Sequence, residues 1–262
     1  MKRALLDLLQ SARLWRIWLR LGLQDVRRRF RRSTIGFAWI FIHLAVMILA
    51  IGFIYGNLLG QKMGYFIPYL TISLVTWAYL TSSVVEGGTA FLNSEGYIKQ
   101  ISLPLYVYVF RSHFTITLVN IISLSVFFLV AILYSMPFAF GCLWVIPGLF
   151  ILLATSFLLV LIFAHLNARF RDIAHLASLG MQVLFYVTPV MFPADLLKGR
   201  GFEFVVVLNP FFHLLEVVRE PLLAGHPAEV ISYAWSGAVV ALLLGLALIT
   251  IGRYQRRIVF AL

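Results

Sequence analysis

The stretch Arg27-Arg28-Arg29-Phe30-Arg31-Arg32-Ser33-Thr34-Ile35-Gly36-Phe37-Ala38-Trp39 decides the fold. Five arginines crowd into six positions, and a long apolar run follows at once. An arginine costs about 2.5–3.5 kcal/mol at the centre of a membrane-spanning helix and far less at its end. The junction therefore marks a membrane surface, and its charge sets the side from which the chain enters the lipid.

The composition agrees. The 262 residues are 62% hydrophobic and 12% charged, with mean hydropathy +0.96. A soluble domain is about 25% charged. The expectation is an all-α integral membrane protein forming one domain over residues 1–262. It divides into an interface helix (1–32), a six-span region (33–252) and a tail (253–262). The net charge of +11 gathers at the ends of apolar runs, which favours membrane lipids over nucleic acid as the partner. The single cysteine, Cys142, excludes an internal disulfide. The first apolar run starts after about thirty residues with no small-residue cleavage pattern behind it, so it reads as a retained span.

Upstream of the junction, Arg13, Arg16, Arg20, Gln24, Arg27 and Arg31 follow i+3/i+4 spacing and form one polar ridge. Leu14, Trp15, Trp18, Leu19 and Val26 lie broadly opposite. This is an amphipathic helix with a basic face, suited to the membrane interface. Two readings stay open: a solvated anchor, or a phosphate-facing ridge beside a transport path.

Downstream, spans are expected over 35–59, 65–85, 105–134, 143–166, 173–191 and 230–251. Gly52, Gly56 and Gly60 lie four apart in the first, a spacing that lets helix backbones approach, within one subunit or between two. Pro68 interrupts the second early, and Ser135-Met136-Pro137 makes a tight turn after the third. Residues 86–104 form a polar segment that ends in Leu103-Pro104 and has room for a short surface helix. Residues 192–229 hold four prolines around two apolar pieces, 202–208 and 211–223, each too short to span. They read as interfacial or re-entrant half-helices, the second made amphipathic by Glu216, Arg219 and Glu220. With both ends inside, seventeen Lys+Arg fall on the inner side. Only Lys62, Lys198, Arg200 and Arg219 fall outside. That bias supports inner termini.

Several chemistries are disfavoured. No glycine-rich loop ending in Gly-Lys-Ser/Thr is present, so ATP is not held by that route. His165, Asp172 and His175 are the nearest approach to a catalytic cluster, but their spacing does not match a His-x4-Asp acyltransferase pattern. A proton-coupled carrier keeps titratable groups inside its spans, and here the apolar stretches of spans one, two, four, five and six carry almost none, with His43 the exception in span one. Aromatic residues make up 15% of the chain, many near span ends, including Trp39, Tyr69, Trp77 and Tyr79. They fit an interfacial belt or a conduit on which sugars stack.

The ordered set of features carries a resemblance. It comprises the basic helix, Gln24 to Ser33, Gly36-Phe37-Ala38-Trp39, the Asn93–Pro104 segment, Arg171-Asp172-Ile173, Thr188-Pro189-Val190 and Asn209-Pro210. It resembles the permease subunit of ABC-2-type exporters, most closely the O-antigen and capsular polysaccharide branch. The resemblance implies a channel-forming homodimer in the bacterial inner membrane, working with two ATP-binding cassette subunits. Those subunits bind ATP and Mg, and this chain holds no cofactor or metal. It implies a coupling segment with Asn93, Glu95, Gly96, Lys99, Gln100 and Pro104, and an outer gate with Phe202, Phe211, Phe212, Glu216 and Arg219. It also implies an undecaprenyl-pyrophosphate-linked glycan as substrate, whose head group would meet Arg27, Arg28, Arg29, Arg31 and Arg32. An ABC-2 exporter of a drug or another lipid is the nearest alternative.

Overall fold

The computed structural model describes residues 2–31, 33–136, 140–197, 201–254 and 258. Arg32, Pro137, Lys198, Arg200, Arg256 and Arg257 lie outside the described residues. Among the described residues the ordered elements are all helical.

The basic N-terminal segment is two helices, α1 (Lys2–Arg13) and α2 (Trp15–Phe30), where the periodicity predicts one. Leu14 breaks the run at φ −81°, ψ 35°. The predicted ridge survives the break: Arg13, Arg16, Arg20, Gln24, Arg27 and Arg31 are all exposed.

Among the described residues, five helices are long and apolar enough to cross a membrane. α3 (Ala38–Leu58) buries only Leu44, Ile48, Gly52 and Gly56, a stripe repeating every four residues. That stripe packs on α4 (Met63–Val85), with Gly52 against Ile67 and Gly56 against Met63 and Phe66. Two of the three glycines thus serve packing inside one chain. α4 is the central helix, with Phe66, Leu70, Ile72 and Leu80 fully buried. Three of its hydroxyls are satisfied locally: Thr71, Ser73 and Ser83 each donate to the carbonyl four residues back. Pro68 sits in its second turn without ending it.

Two 3-10 turns, Gly87–Thr89 and Leu92–Ser94, lead into the short α5 (Glu95–Gln100). α6 (Tyr106–Leu133) has 28 residues, or about 42 Å at 1.5 Å per residue. This exceeds the roughly 30 Å of hydrocarbon, and its N-terminal end carries Phe110, Arg111 and Phe114. α2 leans on that end, with Trp18 stacked on Phe110 at 5.6 Å. Gly22 makes the approach possible, because a Cβ there would lie 2.7 Å from Phe114 Cδ1. α1 is tied nearby, where Asp7 accepts a hydrogen bond from the Leu105 amide at 3.2 Å.

α7 (Val145–Arg169) and α11 (Val230–Tyr254) complete the long set. α8 (Ile173–Val187) has only 15 residues, about 22 Å. The expected span over 173–191 therefore overruns the helix. Thr188 is extended, at ψ 137°, because the residue before a proline is driven out of the helical region. Two short helices follow, α9 (Glu203–Val207) and α10 (Pro210–Ala224). α10 opens on Asn209, whose side chain accepts from the Phe211 and Phe212 amides, with Pro210 in the first position. It closes on Gly225 in the left-handed conformation, φ 70°. It packs between α4, α7 and α11.

Arg219 departs from the expected amphipathic face. It is 2% exposed and turned into the protein. It donates to Tyr69, Ser73 and the Pro189 carbonyl, and pairs with Glu216. Burial opposes its charge, but the Glu216 carboxylate outweighs burial and raises its pKa above the ordinary value.

Candidate functional site

The junction is pinned locally. Ser33 Oγ accepts from the Gly36 amide at 3.2 Å and from the Trp39 indole at 3.1 Å. Arg27, Arg28 and Arg29 occupy the last turn of α2, where cations complement the helix dipole. Arg27, Arg28 and Arg31 are exposed. Arg29 instead makes a two-pronged ion pair with Glu86 at the end of α4, at 3.0 and 3.1 Å.

A second pair lies behind it. Arg111, near the start of α6, donates to both Asp25 oxygens at 2.5 and 2.6 Å. The Tyr97 ring of α5 lies 5.3 Å from its guanidinium. The two pairs differ in depth. The Arg111 and Asp25 side chains are 10% and 27% exposed, those of Arg29 and Glu86 48% and 44%. An exposed pair contributes about 0.2–1 kcal/mol, whereas breaking a buried one costs about 3–5 kcal/mol. Arg111–Asp25 is thus a fastening, and Arg29–Glu86 is exchangeable.

Both pairs line one polar cleft of about 370 Å³, together with Asn93 and Tyr108. A smaller cavity of about 40 Å³, lined by Tyr79, Ser82, Asn120 and Ser123, shares Arg29 and Glu86 as its wall. Of the arginine candidates, the cleft takes Arg29. Of the 93–104 candidates, it takes Asn93, whose amide donates to Thr89 at 2.8 Å. Asp25, Glu86 and Arg111 are brought into the site without having been singled out as site residues from the sequence. Their signal was weak: each has its partner far away in sequence.

The other candidates lie elsewhere. On α5, Gly96, Lys99 and Gln100 are exposed, and Glu95 pairs with Lys99 at 2.6 Å. That hydrogen bond holds the Glu95 carboxyl below its usual range. Pro104 is half-buried beside the start of α6. Trp39 is exposed, but Tyr69, Trp77 and Tyr79 are buried in the core of this chain. Trp77 packs on Phe185 and Phe211, and Tyr79 hydrogen-bonds Thr117 at 2.8 Å. Phe202 is exposed, while Phe212 is buried with Arg219. His165 is buried, while Asp172 and His175 are exposed. No group of metal-binding side chains occurs among the described residues.

The long apolar helices among the described residues define a multi-pass membrane protein, in which a basic helix and a polar cleft lie together at one end of α4 and α6. The chain belongs to the ABC-2 type transporter family, whose model matches residues 18–223. It is similar to the O-antigen export system permease protein RfbA of Klebsiella pneumoniae, with 24% identity over 88% of this chain and 90% of that protein. It is also similar to RfbA of Myxococcus xanthus, 22% identical over 73% and 74%. The polysialic acid transport protein KpsM of Escherichia coli is 22% identical over 87% and 90%.

Proposed function

We propose that this chain is the channel-forming permease of an ATP-driven exporter that moves a lipid-pyrophosphate-linked polysaccharide of O-antigen type across the bacterial inner membrane. The observation that carries this reading is coverage: relatives named for O-antigen export align along up to 88% of the chain. In this reading the permease is a homodimer with both termini cytoplasmic. Two ATP-binding cassette subunits dock on α5 and the 93–104 segment, and they hold ATP and Mg. The exposed, short, charged α5 supports that docking role.

α8 and the turn residues after it together complete a sixth crossing, and α9 and α10 form the outer gate. The undecaprenyl-linked pyrophosphate head meets the Arg27–Arg32 region, where guanidinium forks suit phosphate oxygens. The glycan then passes between two subunits over exposed aromatic rings. Trp39 supports such a face, because His43, one turn further along α3, is also exposed. A polar side chain at a helix surface is costly against lipid, so that face favours water or a partner. Tyr69, Trp77 and Tyr79 would shape the conduit from behind.

The test is copurification and turnover. The chain is expected to purify with an ATPase subunit whose hydrolysis is stimulated by lipid-linked glycan. Replacing Arg28, Arg29 and Arg31 by Gln should abolish that stimulation in normally inserted protein. Stimulation by a drug or an unglycosylated lipid alone would favour a different export substrate.

A further inference from the structure

Arg29 and Glu86 stand at one position that matters twice: their ion pair walls both the 370 Å³ cleft and the 40 Å³ cavity beyond it. The cleft far exceeds the ~10–15 Å³ that one water needs. Four charges line it, Asp25 and Glu86 against Arg29 and Arg111, and they sum to zero. Arg111 is committed to Asp25 through two short bonds, and its remaining terminal nitrogen, Nη1, is buried without a hydrogen-bond partner. Arg29 is committed only to a half-exposed carboxylate. The Glu86 carboxylate engages the Arg29 fork through both oxygens, which is the geometry a phosphoryl group adopts on arginine.

We propose that the cleft is a phosphoryl-anion site centred on Arg29, and that Glu86 is the internal carboxylate such an anion displaces. This rests on the exporter reading above but moves the head-group contact off the exposed ridge and into the cleft. A pyrophosphate carries more charge than one carboxylate, so it outcompetes Glu86 for the same fork. Releasing Glu86 removes the partition between the two cavities and opens the cleft toward Ser82, Asn120 and Ser123, the hydroxyl and amide groups of the α4–α6 groove. Arg111, neutralised by Asp25, fixes the opposite wall of the cleft. Arg27, Arg28 and Arg31 outside the cleft attract the anion without gripping it.

The experiment uses the full chain in phosphatidylcholine nanodiscs, titrated with inorganic pyrophosphate in one arm and loaded with a polyprenyl pyrophosphate in the other. Binding is read by phosphorus NMR. Glu86→Gln is expected to tighten binding about tenfold, and Arg29→Gln to weaken it at least tenfold, with Arg28→Gln and Arg31→Gln each changing it less than threefold. Both cleft side chains are half-exposed, so these variants keep the fold, which a thermal melt checks. Equal binding by Glu86→Gln and the unaltered chain would overturn the competition. Loss in the Arg28 and Arg31 variants, with the cleft variants unchanged, would overturn the cleft and leave the ridge reading standing. Binding of the inorganic probe alone would keep the site and make its ligand a soluble anion. No binding of either probe by any variant would overturn the cleft together with the head-group reading on which it rests.

Discussion

Arg219 and Tyr69, 150 residues apart, meet in the buried heart of the subunit: Arg219 Nη1 donates to Tyr69 Oη at 2.6 Å, and the guanidinium lies 4.3 Å from the ring centroid. The same nitrogen reaches Ser73 and the Pro189 carbonyl, while Tyr69 Oη donates to the Pro189 and Phe192 carbonyls. The Pro189 and Phe192 carbonyls, in the segment that follows where α8 stops at Val187, are thereby satisfied by side chains of α10 and α4. A helix too short to cross is stabilised at its open end, and α10 is locked to it.

Arg219→Leu therefore strands the Glu216 carboxylate in a largely buried setting. The expected loss is about 3–5 kcal/mol, read as a fall in melting temperature on the order of 10 °C in detergent. Arg219→Lys keeps the charge but not the planar fork and should fall between. A Leu variant melting within about 2 °C of the unaltered chain would show that the hub does not hold α10.

Gly148 of α7 makes a different kind of contact. A methyl group built there would overlap the Val217 carbonyl oxygen of α10. The obstacle is backbone, so no rotamer change relieves it. Gly148→Val should cost about 1–3 kcal/mol by overpacking and separate α7 from α10. Spin labels on the two helices would report the added distance, and an unchanged distance with unchanged stability would refute the close approach.

Glu220 predicts a pH effect. Partial burial and the neighbouring Glu216 charge raise its pKa from the usual 4.5. His226, 3.5 Å away, and Arg219 oppose this, and Glu229 adds to it. A carboxyl with a raised native pKa contributes stability below the unfolded pKa and loses it as pH rises through the native value. Glu220→Gln should therefore melt higher than the parent at pH 7.5, by about 1–2 °C. The gain should shrink as pH falls toward 4.5. A gap that stays constant across this range would assign the effect to something other than the Glu220 charge.

What the sequence makes legible is what is local. The exposure of Arg13, Arg16, Arg20, Arg27 and Arg31 follows from helical periodicity alone, and the helix start at Pro210 follows from the Asn209 cap. The stop before Pro189 was equally local, although the expected span ran past it. The Leu14 break was not legible, because neither glycine nor proline marks it. Nor was the fate of individual charges. Arg29 meets Glu86 57 positions away, Arg111 meets Asp25 86 positions away, and Arg219 is drawn inward by Tyr69 and Ser73 on another helix. A charge read on its own segment looks solvated, and only tertiary packing supplies the partner that permits burial.

The Asp25–Arg111 pair yields the prediction that joins fold to mechanism. α2 is held to α6 by Trp18 on Phe110, by the close approach at Gly22 and by this pair. Arg111 also lies against Tyr97 of α5, so one guanidinium touches both the arginine-bearing helix and the short surface helix. Asp25→Asn leaves that charge uncompensated and should cost about 3 kcal/mol locally. The first result is a loosened α2, seen as trypsin cleavage at Arg27 to Arg31 about tenfold faster while the spanning helices stay protected. The second is export that falls although the protein still inserts. The reversed pair, Asp25→Arg with Arg111→Asp, should restore part of the protease resistance. If Asp25→Asn leaves cleavage unchanged, apolar packing alone holds α2, and the pair contributes nothing to the position of the arginines.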